Sequence, residues 1–367
     1  MKILVVSNMY PSKSFPFYGT FVKNFCEQLK TLEIKYDLSV KYKTKTVIGK
    51  ILSYLFFYVK TVMYILFKKY DIIYIHYASH SSSPVLFAMK VKKNLTIYTN
   101  VHGSDVVPES KKQKKMQKYT SRILDKSKKI IVPSLYFKDY VINKYSVRSK
   151  KVFVYPSGGV NPMIFYRFSK ENKDSIYSQY QLKKEYKYIG YVSRITKDKG
   201  WDIFCLALND VLKNKQRVKA IIVGSGEEEK KLQQYICKLN LENDVILFPS
   251  LSQKQLNEIY NIIDFLVFPS KREGESLGLV PLEAMAAGTL VIVNDFAAPG
   301  SYITDKENGY KYKTNDYKDL VKKINYCLSI TDVEKNLIIQ NAYKTVDKYL
   351  TNNVILQLKG VLLSEHN

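Results

Sequence analysis

Cysteine is sparse in this 367-residue chain: Cys26, Cys205, Cys237 and Cys327 stand far apart with no paired spacing. That pattern excludes a cysteine-built metal centre or a disulfide framework and leads us to expect a reduced, cytosolic protein. Acidic residues are missing from one end. Residues 1–160 carry 29 Lys and Arg against 8 Asp and Glu, a balance of +21, whereas the remainder carries 29 against 25. A lysine-rich genome raises lysine throughout; only in the front part do acids fail to balance it. A basic domain of this kind points to a polyanionic surface, either anionic lipid or nucleic acid. The opening MKILVVS lacks a basic leader, an apolar core and a small-residue cleavage site in succession, so it reads as a strand rather than a secretory signal. No internal repeat or low-complexity segment is present.

Short apolar runs alternate with helical patterns along the whole chain. In the front part these are ILVVS, then helical residues 19–32, then IIYIHY, LTIYTNVH, IIVPS and KVFVYPS. The back part repeats the scheme with YIGYVSR, KAIIVGSG, DVILFPS, FLVFPS and TLVIVND. Strands separated by helices imply parallel sheets wound on both faces. At this length there is room for two α/β domains of ordinary size. The Gly- and Pro-rich stretch 156–162 reads as the hinge between them. The expected boundaries are 1–160, 161–345 and a final helical segment, 346–367.

The most specific stretch is KREGESLGLVPLEAMAAG, residues 271–288. Pro281 lacks an N–H and its ring collides with the carbonyl four residues earlier, so a helix here begins near Gly278. Glu275 then lies in the preceding loop and Glu283 about one turn inside. The first helical amides, near Gly278, Leu279 and Val280, have no carbonyl behind them and face out, as anions and hydroxyl oxygens require. Two carboxylates flanking such a start can each accept hydrogen bonds from sugar hydroxyls. The order Glu275, Ser276, Leu277, Gly278, then Glu283, Ala284, Met285, Ala286 and Gly288 resembles the signature of retaining family 4 glycosyltransferases of the GT-B fold. The resemblance implies two doubly wound Rossmann-like domains facing a cleft. It assigns Glu275 to the donor sugar and Glu283 to the ribose of a nucleoside diphosphate sugar, with Ser276, Leu277 and Gly278 at the donor. Glu273 has the wrong spacing to Glu283.

Arg194 and Lys199, in YIGYVSRITKDKGWD, stand at a strand end and the opening of the next helix, where parallel sheets place ligands. Two cations there can neutralise a departing diphosphate, and the spacing is similar to the family's Arg and Lys-Gly pattern. His102, in NVHGSDV, follows a strand beside Gly103; the family commonly has a histidine here that reaches the donor sugar, with His76 the competing candidate. Gly19 opens the first helix, where enzymes of this fold place a glycine loop near phosphates, although the same segment equally suits an acceptor. Gly224, in GSGEE, reads as a turn near the base or ribose, or as a plain turn.

No Asp-x-Asp occurs, so no metal site of the usual glycosyltransferase kind is expected and no cofactor is implied. After VIVND the chain reads FAAPGSYI, without the glutamate usual in the family. The run Val47–Phe67 is long enough to span a bilayer but holds Lys50 and Lys60; between strands it reads as a surface helix turned to the lipid interface, or as core packing. Residues 111–129 hold nine basic residues and one acid, Asp125. Each cation near an anionic bilayer contributes about 1 kcal/mol. The resulting expectation is a metal-independent hexosyltransferase of bacterial surface-glycan assembly, peripheral on the inner face of the membrane. Its partners would be a nucleotide-sugar donor, a glycan or lipid-linked acceptor and an anionic membrane, without nucleic acid. A sugar-nucleotide epimerase of the same fold and a basic nucleic-acid-binding protein are the rival readings.

Overall fold

The computed structural model describes residues 1–16, 18–214 and 217–363. The chain divides into two compact units, Met1–Gly158 joined by the chain from Val354 onward, and Gly159–Asn353.

The first unit begins β1 (Lys2–Ser7), α1 (Thr20–Thr31), β2 (Lys35–Val40), α2 (Val47–Phe67), β3 (Ile72–His76) and α3 (Ala78–Ala88). It continues β4 (Ile97–Asn100), α4 (Lys111–Lys126), β5 (Lys129–Val132), α5 (Leu135–Tyr145) and β6 (Val152–Val154). All pairings are parallel, in the order β2-β1-β3-β4-β5-β6. Both faces of this sheet are covered, which is why β1 is a continuous apolar run. Along it Leu4 and Val6 join the core under α2, α3, α4 and α5, whereas Ile3 and Val5 join the core under α1. The chain's last helix packs on that second face through Val354, Leu358, Val361 and Leu362.

The nature of α2 is decided by burial. It is long and apolar enough to cross a membrane, yet Phe57, Thr61 and Ile65 are buried on the sheet and the Thr61 hydroxyl lies 2.8 Å from that of Ser39 on β2. The opposite face leaves Val47, Ile48, Ile51, Leu52, Leu55, Phe56, Val59, Met63 and Phe67 exposed. Core packing thus accounts for one face of this helix and leaves the other exposed.

The second unit runs α6 (Lys170–Gln179), β7 (Lys187–Val192), α7 (Trp201–Leu212), β8 (Val218–Val223), α8 (Glu229–Lys238), β9 (Val245–Phe248) and α9 (Gln253–Ile262). Then follow β10 (Phe265–Phe268), α10 (Leu279–Ala286), β11 (Leu290–Asn294), α11 (Ala297–Tyr302), β12 (Tyr310–Tyr312), α12 (Tyr317–Ser329) and α13 (Asp332–Asp347). The sheet order is β12-β11-β10-β7-β8-β9, again all parallel. Helix α14 (Thr351–Leu363) is separated from α13 by a break, where Val160 pairs with Leu350 and its amide donates to the Tyr349 carbonyl at 2.7 Å. Each sheet reverses its winding once, between β1 and β3 in the first and between β7 and β10 in the second. Ligands of open α/β sheets sit outside the carboxyl ends of the strands at such points.

Candidate active site

The two loops that leave β7 and β10 at the reversal carry most of the second unit's motif residues. Ion pairs tie the first loop and the start of α7 to the second loop. Lys199 pairs with Glu275, Lys271 lies 2.8 Å from Asp202, and the Arg272 Nε lies 3.6 Å from Asp198. The Lys199 and Glu275 side chains are almost fully shielded from solvent, 8% and 13% exposed. The Ser270 hydroxyl donates to the same Glu275 oxygen, Oε2, at 2.9 Å. Glu275 Oε1 has no partner among the described residues. Removing one member of a buried pair costs about 3–5 kcal/mol because the other charge is stranded.

Glycine is required where these loops touch backbone. At Gly200, φ is +72° and a Cβ would lie 2.1 Å from the Pro269 carbonyl oxygen. At Gly224 a Cβ would lie 1.8 Å from the Ser193 oxygen, and at Gly226, 2.2 Å from the Ile195 oxygen. The Gly-x-Gly turn is thus a platform under the loop 193–195, which it also holds through the Ile195 amide donating to the Ser225 carbonyl at 3.1 Å. Arg194, at the middle of that loop, is exposed, and its guanidinium makes no hydrogen bond or ion pair among the described residues. Gly224 also borders a cavity of about 190 Å³ with Phe248 and Pro249.

Helix α10 begins at Leu279 with Gly278 as its left-handed cap (φ 71°). The Tyr302 hydroxyl donates to the Gly278 carbonyl at 2.8 Å, and a Cβ on Gly278 would lie 2.6 Å from Pro299. The FAAPGSYI segment, unlike the family pattern, therefore forms the short helix α11 that braces the start of α10. Leu277 is buried in the core, leaving only its backbone for a ligand, while Ser276 is half-buried with no side-chain partner among the described residues. Glu283 is partly buried, and its Oε2 accepts the Tyr260 hydroxyl at 3.2 Å. Burial pushes its pKa up to about 7, against a smaller opposing pull from the Tyr260 hydrogen bond.

In the first unit, the sequence candidates gather at the carboxyl ends of β3 and β4. His76 Nδ1 lies 3.0 Å from His102 Nε2, and the Phe21 ring stacks 4.1 Å from that of His102. His76 is fully buried with no partner for its Nε2 among the described residues, whereas His102 is part-exposed. Burial holds His102 near a pKa of about 3 and His76 well below the usual imidazole range. Both rings are neutral at physiological pH. Asp105 fixes the His102 loop by accepting the His102 amide at 2.9 Å and the Ala78 amide at 2.8 Å. Gly19 (φ 78°) caps α1 and packs on the backbone after β1, where its Cβ would lie 2.7 Å from Met9.

The sequence reading missed Ser270, Asp198, Asp202, Lys271 and Arg272, whose charges carry meaning only once two distant loops are adjacent. It also missed Asn294, which ends β11 and donates to the Ser270 carbonyl at 2.6 Å. Among the described residues no group of three His, Cys, Asp or Glu converges as metal ligands do. What the second unit offers together is a free guanidinium, a shielded ammonium, a helix start with open amides and two carboxylates with free acceptor oxygens. These are the donors and acceptors that a phosphorylated, hydroxyl-rich ligand needs.

Two Rossmann-like α/β domains built on parallel sheets define the GT-B class, and solved structures of that class superpose on the chain. HepE of Anabaena, in complex with UDP and glucose, matches with a TM-score of 0.76 at 18% identity over 99% of each chain. Residues 27–159 match the family model described as glycosyltransferase family 4 and residues 172–345 that of glycosyl transferases group 1, and the protein is a glycosyltransferase. An uncharacterized glycosyltransferase of Methanocaldococcus jannaschii is 26% identical over 356 residues, 91% of this chain and 92% of that protein. The capsular polysaccharide biosynthesis glycosyltransferase CapM of Staphylococcus aureus is 26% identical over 227 residues, 62% of this chain and 58% of that protein.

Proposed function

We propose that this enzyme moves a hexose from a nucleoside diphosphate sugar to a glycan or lipid-linked acceptor, with retention and without a metal or cofactor, in bacterial surface-glycan assembly. The observation that carries this reading is that the loop leaving β7 at the sheet reversal carries both an exposed Arg194, unpaired among the described residues, and the Lys199 of the shielded Lys199–Glu275 pair. In the transfer, the bond from the anomeric carbon to the leaving phosphate oxygen breaks and a bond to the acceptor oxygen forms. The acceptor proton passes to that phosphate oxygen. Negative charge grows on the diphosphate, where Arg194, Lys199 and the amides of Gly278, Leu279 and Val280 stabilise it most effectively in the transition state. Glu275 accepts from sugar hydroxyls and Glu283 from the ribose. The family resemblance assigns His102 to the donor sugar, as a neutral hydrogen-bonding ring. Metal independence is supported by the missing Asp-x-Asp and by Arg194 and Lys199, two cations able to neutralise a diphosphate as a divalent ion would.

Two further observations favour this reading. HepE binds UDP and glucose and CapM acts in capsular polysaccharide biosynthesis, both consistent with a nucleotide-sugar enzyme of surface glycans. The exposed apolar face of α2 and the lysines of α4 suit peripheral docking on the cytoplasmic face of an anionic membrane rather than on nucleic acid. The test is thermal-shift and calorimetric binding with UDP-, GDP- and ADP-sugars in EDTA, followed by product analysis with donor alone. Stabilisation by one donor without its epimerisation is the expected result. Conversion of the donor sugar without acceptor would establish the epimerase instead.

A further inference from the structure

The first sheet also reverses, between β1 and β3, and a pocket of about 290 Å³ opens at that point. Asn8 and Met9 after β1, Lys41 after β2 and Tyr77 after β3 line it, as do Lys50 and Tyr54 of α2. Its charge is one-sided: among the described residues Lys41, Lys43, Lys50 and His80 line it and no carboxylate does. Lys41 is 4% exposed, an extreme burial for an ammonium without a carboxylate partner. Among the described residues its Nζ donates to one acceptor, the Tyr42 carbonyl at 3.1 Å, and otherwise lies over the Tyr54 ring at 4.8 Å and the Tyr18 ring at 6.0 Å. The Lys41 amide, donating to the Ser7 carbonyl at 3.0 Å, holds the residue at the strand end. Beside it the Thr44 hydroxyl oxygen, also lining the pocket, is buried with no hydrogen-bond partner among the described residues. Unused donors around a buried cation at a sheet reversal form a site for an oxyanion.

We propose that this pocket binds a phosphate group carried by the acceptor, with Lys41, Lys43, Lys50 and Thr44 as its donors. The assignment to the acceptor rests on the transferase reading above, which places the donor's diphosphate on Arg194 and Lys199 in the other unit. The phosphate stands either on a soluble glycan or at the head of a lipid. Lys50 and Tyr54 line the pocket from α2, whose other face exposes Ile48, Ile51, Leu52 and Leu55. A lipid-borne phosphate in the pocket would thus lie beside an apolar surface suited to its membrane.

The experiment is calorimetric binding of inorganic phosphate and of dodecyl phosphate below its micelle concentration, to the full chain. The variants are Lys43→Gln with Lys50→Gln, both exposed positions, Lys41→Met checked by thermal melting, and Arg194→Ala. The double variant should lose at least about tenfold in affinity at this pocket, the scale of one charge-assisted hydrogen bond lost, and Arg194→Ala should leave that binding event in place, phosphate held at Arg194 being a separate event of the other unit. Tighter binding of dodecyl phosphate than of phosphate assigns the group to a lipid head, and equal binding to a soluble glycan. Unchanged binding by the double variant, or loss confined to Arg194→Ala, overturns the proposal. Failure of every nucleoside diphosphate to bind would instead count against the transferase reading and leave this result standing.

Discussion

If Glu283 accepts from the ribose as proposed, nucleotide affinity should depend on pH in a range where most carboxylates are silent. The Glu283 pKa is raised from 4.5 to about 7, first by burial, and the folded protein therefore holds this proton where the unfolded chain has lost it. For stability the sign follows directly: the contribution is greatest below about 4.5, declines as pH rises toward about 7 and is flat above. For binding the sign is opposite. A carboxylate accepts two ribose hydroxyl protons, whereas a carboxylic acid must donate one, so ligand and proton compete. With a pKa of about 7, affinity for the nucleoside diphosphate should fall about tenfold between pH 8 and pH 6, worth about 1.4 kcal/mol. The terminal phosphate of the ligand titrates too, and Glu283→Gln isolates the protein's share, because that variant keeps only the ligand's own dependence. Calorimetry at several pH values, in buffers of different ionisation enthalpy, reads both affinity and proton release. Identical pH slopes in the parent and in Glu283→Gln would refute the assignment of Glu283 to the nucleotide. Tyr260→Phe removes the hydrogen bond that lowers this pKa and should move the midpoint upward.

Other outcomes follow from the same geometry. Arg194→Ala should leave the melting temperature unchanged and lower turnover by about two to three orders of magnitude, the loss expected of one preorganised charge-stabilising group. Lys199→Ala should lower stability as well as turnover, since Glu275 is stranded: about 3–5 kcal/mol by denaturant melts beside the lost turnover. Gly226→Ala should displace the Arg194 loop, its new methyl meeting the Ile195 carbonyl at 2.2 Å; melting and turnover should both fall, while Gly360→Ala, with no atom of the described residues within 4 Å, should be silent or stabilising. Changing Ile51, Leu55 and Phe56 to Ser should reduce sedimentation with anionic vesicles without altering nucleotide binding, and unchanged sedimentation would place the membrane contact elsewhere.

Much of this architecture is legible in the residues. Pro281 alone confines the helix start, and α10 begins at Leu279 because a proline ring fits only the first turn. Strands buried on both faces announce themselves as apolar runs, which is why β1, β3 and β10 stand out. The edge strand β2, KYDLSV, does not, because Lys35, Asp37 and Ser39 interrupt it, nor does the three-residue β12. The break between α13 and α14 is equally hidden, since Val160, far away in sequence, supplies its pairing. At the candidate site, glycines and acids were visible by spacing, whereas their partners were not. Lys199 and Glu275 are 76 residues apart, and nothing local indicates that one ammonium meets one carboxylate. The His76–His102 contact is of the same kind: it exists because β3 and β4 are neighbours in the sheet. Gly224 was legible as a turn, but the Ser193 carbonyl beneath it was not.

The central claim is that a nucleoside diphosphate sugar is consumed with metal-free charge stabilisation by Arg194 and Lys199. It is tested most directly by mass-spectrometric detection of hexosylated product when the full-length protein is given UDP-, GDP- and ADP-hexoses with lipid-linked and glycan acceptors in excess EDTA. One donor should give a product one hexose heavier, at a rate that EDTA leaves unchanged and Arg194→Ala lowers by about two to three orders of magnitude. Product formation that EDTA abolishes and Mn²⁺ restores, or a rate indifferent to Arg194, would contradict it.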